Sequence, residues 1–175
     1  MPIVFGENVQ GVAQSVDACK KYGDRIRATY RARHVWSEAS RDPYAGTTLE
    51  RPPSLNENPA GILFPWEQMY VAAATCAGSD YPMLAAFFGV PIQRVELVVE
   101  GVFDPRGEFG GLDGLEMPPD AHCFLSLHVR ATITSRASRA ALEQIHERVV
   151  KRNMVLDALR GVPLTHELVI EGGAS

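Results

Sequence analysis

The sequence predicts an α+β fold built mainly on antiparallel sheet, and three observations predict it. Residues 26–36 and 124–133 alternate apolar and polar side chains, the period of a half-buried strand. Between them, Pro65 to Phe88 forms the longest apolar run of the chain, with Trp66, Met69, Tyr70, Ala73 and Ala77 at helical spacing. The predicted order is helix, two strands, long helix, two strands, helix, strand, so strands cluster in pairs with helices between them.

The run PWEQMYVAAATCAGSDYPMLAAFF organises the rest. Its centre, Ala72 to Ser79, is almost all small residues and carries Cys76. Small side chains let a neighbouring backbone approach closely, so this helix is expected to be central and buried. Pro65 suits a first helical turn, where its missing N–H costs nothing. Pro82 is expected to kink or break the helix, because its ring meets the carbonyl of Gly78. Gly89 and Pro91 close the element. The run is long enough to span a bilayer, but Glu67, Asp80 and Pro82 interrupt it, so a soluble core helix is expected.

Residues 8–22 read as a short amphipathic helix with Val9, Val12, Ala13, Val16 and Cys19 on one face, which makes Cys19 a small core hydrophobe. Gly23 and Asp24 end it. In residues 26–36, Ile26, Ala28, Tyr30, Ala32, His34 and Trp36 point one way, and Arg27, Thr29, Arg31, Arg33 and Val35 the other. The basic side is expected to be a solvated face; its sharper reading is a source of arginine for an anion or thiolate. A shorter strand around 47–50 completes a hairpin over 25–51. Residues 51–63, rich in proline and asparagine, form a loop.

Arg94 to Phe103 is rich in Val and Leu and reads as a strand. Residues 104–120 are expected to be a long loop. After the alternating strand at 124–133, Ser135 or Ser138 caps a helix whose apolar stripe is Leu142, Ile145 and Val149. Asn153 and Met154 mark a corner before a short turn of helix, and 164–170 is the last strand. These elements are expected to form one domain over 1–175, with 94–175 as a second α+β half.

Composition bounds the function. The 175 residues are 46% hydrophobic and 22% charged, ordinary for a soluble globular chain. A net charge of −4, with no interleaved exposed aromatic on the face of Arg25, Arg27, Arg31 and Arg33, argues against nucleic acid as a partner. Three cysteines in unrelated contexts are no disulfide framework, and MPIVFGENVQ lacks the pattern of a secretory signal. The expected setting is a reducing cytoplasm, with no membrane partner. No CxxC, P-loop, GxSxG or dinucleotide fingerprint occurs, and His34, His122, His128, His146 and His166 are scattered, so neither a cofactor nor a metal is expected. Cys76 sits inside its helix, where the dipole does little for a thiolate; locally it reads as a small buried residue unless another part of the fold supplies a cation.

Three features carry a family resemblance. A proline-rich loop leads into PWEQMYVAAATCA; the helix is followed by GVPI and the strand RVELVVEGVFD; and a late helix reads EQIHERVVKRNMVLDALRGVPL. Together, over nearly the whole chain, they resemble the superfamily of osmotically inducible protein C (OsmC) and organic hydroperoxide resistance (Ohr) proteins. The resemblance implies an OsmC-like fold: antiparallel sheets packed around long central helices in an intertwined homodimer. In the peroxidase members it implies a peroxidatic cysteine at the dimer interface, assisted by an arginine and a glutamate, with a second cysteine resolving the sulfenic acid.

Cys76 stands at the peroxidatic position. The departures are that KRNMVLD carries Asn153 and Met154 and no second cysteine, and that the family's glutamate position, ten residues before Cys76, is Trp66, with Glu67 one place later. The arginine candidates are Arg33 and Arg41; Cys123, at the start of a strand, is remote from the resolving position. The resemblance therefore implies at most a one-cysteine thiol peroxidase or redox protein, recycled by an external thiol and related to organic hydroperoxide reductases. The alternative is a non-catalytic protein holding a small hydrophobic ligand at the dimer interface, against Trp66, Met69, Tyr70, Phe87 and Phe88.

Overall fold

The computed structural model describes residues 3–4, 7–40, 42–52, 63–117 and 122–172. In chain order the elements are β1 (Ile3–Val4), β2 (Glu7–Asn8), α1 (Val9–Tyr22), β3 (Ala28–Ser37), β4 (Thr47–Glu50) and α2 (Pro65–Phe88). There follow β5 (Arg94–Phe103), α3 (Arg106–Phe109), β6 (Phe124–Thr134), α4 (Arg139–Arg152), α5 (Met154–Ala158) and β7 (Leu164–Glu171). They form two compact units, one from residues 1–28 and 102–125, the other from 29–101 and 126–175.

In the first unit, β1 and β2 pair antiparallel. Helix α1 buries Val16 and Cys19 against Leu115, with Ile26 and Phe109 packed alongside. Burial pushes the Cys19 thiol up, as befits a core hydrophobe. Gly23, at φ 52°, ends α1, and Ile26 lies in a tight 3-10 turn, Gly23–Ile26, so β3 begins two residues later than alternation suggested. Residues 104–120 are not one long loop: they hold α3 and a second 3-10 turn, Leu112–Gly114. The reason is Asp104, whose Oδ1 accepts the Arg106 backbone N–H at 3.0 Å while its carboxylate takes the Arg106 and Arg27 side chains. Arg106 also reaches Asp24 at 2.6 Å. Burial works against the Asp104 charge, but the hydrogen bonds from Arg106 and Arg27 hold its carboxyl down at about 2.

The second unit is a five-stranded sheet in the order β4-β3-β5-β6-β7. β4 pairs antiparallel with β3, from Arg31↔Glu50 to His34↔Thr47. Along β3 and β5 the side-chain pairs Arg31–Glu100 and Arg33–Glu96 run in opposite order, as in an antiparallel pair. The last pair corrects the antiparallel expectation: β7 is parallel to β6, from Leu127↔Leu164 to Thr134↔Glu171. Parallel neighbours need a long crossover, and α4 with α5 is that crossover. The sheet is mixed, and the fold is α+β.

Helix α2 lies on one face of this sheet. The apolar side of β3 meets it: Tyr30 stacks on Tyr70 with ring centroids 5.6 Å apart, and the buried His34 ring presses on Gly78. A Cβ on Gly78 would lie 2.3 Å from His34 Cδ2, so only glycine fits there. Phe64 caps the helix start, where its N–H donates to Glu67 Oε2 at 2.8 Å, and Gly89 at φ 67° closes the end. Against expectation, Pro82 does not break α2. Its missing hydrogen bond and ring clash cost about 3 kcal/mol. Pro82, Tyr81 and Ala85 are buried, and packing of that order of magnitude holds the helix through the proline. Helix α4 starts at Ser138, whose side chain accepts from the Ala141 N–H, while Ser135 instead bonds the Pro91 carbonyl. Among the described residues, no helix is long and apolar enough to cross a membrane.

Candidate functional site

Cys76 lies about three turns into α2 and is partly exposed. Among the described residues, its Sγ receives one hydrogen bond, from Asn153 Nδ2 at 3.2 Å. Asn153 is itself buried and serves as N-cap of α5, its Oδ1 accepting from the N–H groups of Val155 at 3.1 Å and Leu156 at 3.0 Å. Those two donors settle the amide orientation, so Nδ2 must face α2. There it also donates to Asp80 Oδ2 at 2.8 Å. Burial raises the Asp80 carboxyl, with the Asn153 bond pulling partly back. Cys76, Asp80 and Asn153 thus form one cluster, made because Cys76 and Asp80 are one helical turn apart and the corner after α4 drops onto them. The sulfur faces a fixed N–H donor.

Two of the expected helpers, Glu67 and Arg33, are engaged elsewhere in the chain. Glu67 is 1% exposed and bound bidentately by Arg51, with Nε to Oε1 at 2.6 Å and Nη2 to Oε2 at 2.9 Å. This pair lies nine residues before Cys76, about 14 Å along the helix axis. Arg33 projects from the opposite face of β3, where Glu96 takes its guanidinium at 2.7 Å, so the chain does not bring it to Cys76. Arg31 is likewise taken by Glu100 and Arg27 by Asp104, so the basic strand face is a charge-paired surface and no free arginine source. Arg41 lies outside the described residues. Cys123 belongs to the first unit and burial raises its thiol.

A family profile described as "OsmC-like protein" matches residues 62–167. The chain belongs to the OsmC-like family. Among solved structures, an OsmC-like protein from Mycoplasma pneumoniae superposes with a TM-score of 0.52 at 15% identity, over 78% of this chain and 94% of that one. An organic hydroperoxide resistance protein OsmC from Legionella pneumophila gives a TM-score of 0.49 at 16% identity, over 78% and 96%. A hypothetical protein from Aquifex aeolicus gives 0.49 at 14%, over 82% and 98%. No curated protein matches the chain.

Within this OsmC-like chain, the aromatic residues of α2 do not make one apolar wall. Tyr70 is a 1%-exposed core residue against Tyr30, Trp66 stacks on Phe64 at 4.7 Å, and Phe87 and Phe88 sit at the other end of the helix. Two groups escaped sequence reasoning. Arg51 opens the proline-rich loop, and no local pattern marks it as the partner of Glu67. His146 on α4 meets the Tyr81 hydroxyl at 2.7 Å and His166 on β7 at a ring distance of 6.4 Å. Among the described residues no cluster of His, Cys, Asp and Glu has the geometry to hold a metal ion.

Proposed function

We propose that this OsmC-like protein is a one-cysteine, thiol-dependent reductase of organic hydroperoxides, with Cys76 as its nucleophile. The observation that carries the reading is the buried Asn153 amide, oriented by α5 and donating to Cys76 Sγ. The Cys76 thiolate attacks the outer peroxide oxygen: an S–O bond forms, the O–O bond breaks, and the alkoxide leaves as the alcohol after taking a proton. The sulfur is oxidised to a sulfenic acid. With no cysteine at Asn153, an external thiol then condenses with it, releasing water and leaving a mixed disulfide. A second thiol frees Cys76 and carries off the disulfide. A cytoplasm supplies such thiols.

Reduced protein treated with one equivalent of cumene hydroperoxide and a sulfenic-acid trap should gain one trap adduct by intact mass. Cys76→Ser should gain none. Asn153→Asp keeps the α5 cap but replaces the donor by an oxygen, so its trapping should slow by about tenfold, the value of a charge-assisted hydrogen bond. A Cys76 that stays unmodified under peroxide excess removes the proposal.

The reading includes a homodimer, supported by Phe87 at 81% and Met83 at 42% exposure on the central helix. Light scattering should return twice the 19.2 kDa chain mass, and a monomer mass at micromolar concentration would set the dimer aside.

A further inference from the structure

A groove of about 550 Å³ runs along α4 beside the C-terminal end of α2, a size typical of small-molecule sites. Phe88 and Val90 make its apolar part, over the buried Ile145, and Arg148, Lys151 and Arg152 its basic part, with Glu147 among them. Ile145, Arg148 and Arg152 are spaced i, i+3, i+7, so they share one stripe of α4. The helices run antiparallel, since Tyr81 meets His146 while Asp80 meets Asn153. The apolar end therefore lies at the terminus of α2 and the basic end at the last turn of α4. Lys151 is held by Glu147 at 3.3 Å, but among the described residues Arg148 and Arg152 make no ion pair. The helix macrodipole accounts for cations in the last turn. It does not account for Arg148 a turn earlier, nor for Phe88 left 50% exposed beside it.

We propose that this groove binds a long-chain aliphatic carboxylate. The chain lies on Phe88 and Val90, and the carboxylate takes the two unpaired guanidinium forks, which match its geometry. Cys76 does not line the groove, so the inference stands apart from the peroxide reaction.

Isothermal titration of the full chain with dodecanoate tests it. Saturable binding of one dodecanoate per chain is expected. The Arg148→Gln, Arg152→Gln double variant should bind at least about tenfold more weakly, since both charge-assisted contacts are lost. Phe88→Ser should weaken dodecanoate binding without touching the charges. All three positions are exposed, and circular dichroism of each variant checks that the fold is kept. Dodecylamine, with the same chain and the opposite charge, should bind poorly. Failure of the wild type to saturate, equal affinity in the double variant, or equal binding of dodecylamine would each overturn the proposal.

Discussion

Arg51→Ala should destabilise the chain by about 3–5 kcal/mol at neutral pH, the cost of stranding a buried charge. The carboxylate concerned is Glu67, 1% exposed, with a side chain that accepts from Nε and Nη2 of Arg51 and from the Phe64 N–H. Removing Arg51 leaves one backbone donor for a full negative charge in the interior. Arg51→Lys should recover part of the loss, because an ammonium supplies charge but not the bidentate fork. The double variant Arg51→Met, Glu67→Met should be far more stable than Arg51→Ala, because removing both charges removes the desolvation penalty with them. Urea unfolding of the four proteins measures this. A loss under about 1 kcal/mol for Arg51→Ala would mean the pair behaves as a screened surface bridge.

The thermal midpoint should fall as pH is lowered below about 6.5, the ordinary value for histidine. Three histidines of the second unit are pushed below that value on folding. Burial lowers His34, with the Pro43 backbone pulling back; burial lowers His146, with Glu147 pulling back; burial lowers His166, and His146 and His128 lower it further. Below 6.5 the unfolded chain binds protons that the folded chain refuses, so stability rises with pH through this window and is fully present above it. Each group contributes at most about 1.4 kcal/mol per pH unit. Glu96 and Asp104 do not mask the effect: they sit at about 2 when folded, so their contribution is lost only under the ordinary carboxylate range. Thermal melts between about pH 7.5 and 5.5 read the slope. His146→Gln keeps a partner for the Tyr81 hydroxyl and removes one titrating group, so its slope should be shallower. A midpoint that does not move across this window would show that the folded histidines accept protons as freely as the unfolded ones.

Much of the fold was legible locally. The bounds of α2 follow from Pro65 and Gly89, because proline at a first turn and glycine in a left-handed cap act through their own backbone. The corner at Asn153 was legible for the same reason. Alternation along β3 told which side of the sheet Arg31 and Arg33 would take. Of the kink or break expected at Pro82, the break does not occur, because the helix survives through packing that no local pattern reports. Residues 104–120 were misread because α3 depends on an ion-pair cluster in which Asp104 holds Arg106 and Arg27 while Asp24 takes Arg106, and Arg27 and Asp24 are distant in sequence.

By itself the sequence determined the α+β class, the order of the longer helices and strands, the central helix and the place of Cys76 upon it. These rest on periodicity and on proline, glycine and serine chemistry, which act over a few residues. Only the tertiary structure decided that β7 runs parallel to β6, that Glu67 belongs to Arg51 and Arg33 to Glu96, and that Asn153 stands at the Cys76 sulfur. The physical reason is range. A hydrogen bond or ion pair is satisfied by whichever group arrives within about 3 Å, and between residues 76 and 153 that arrival is set by how α4 packs on α2, not by anything written near either residue.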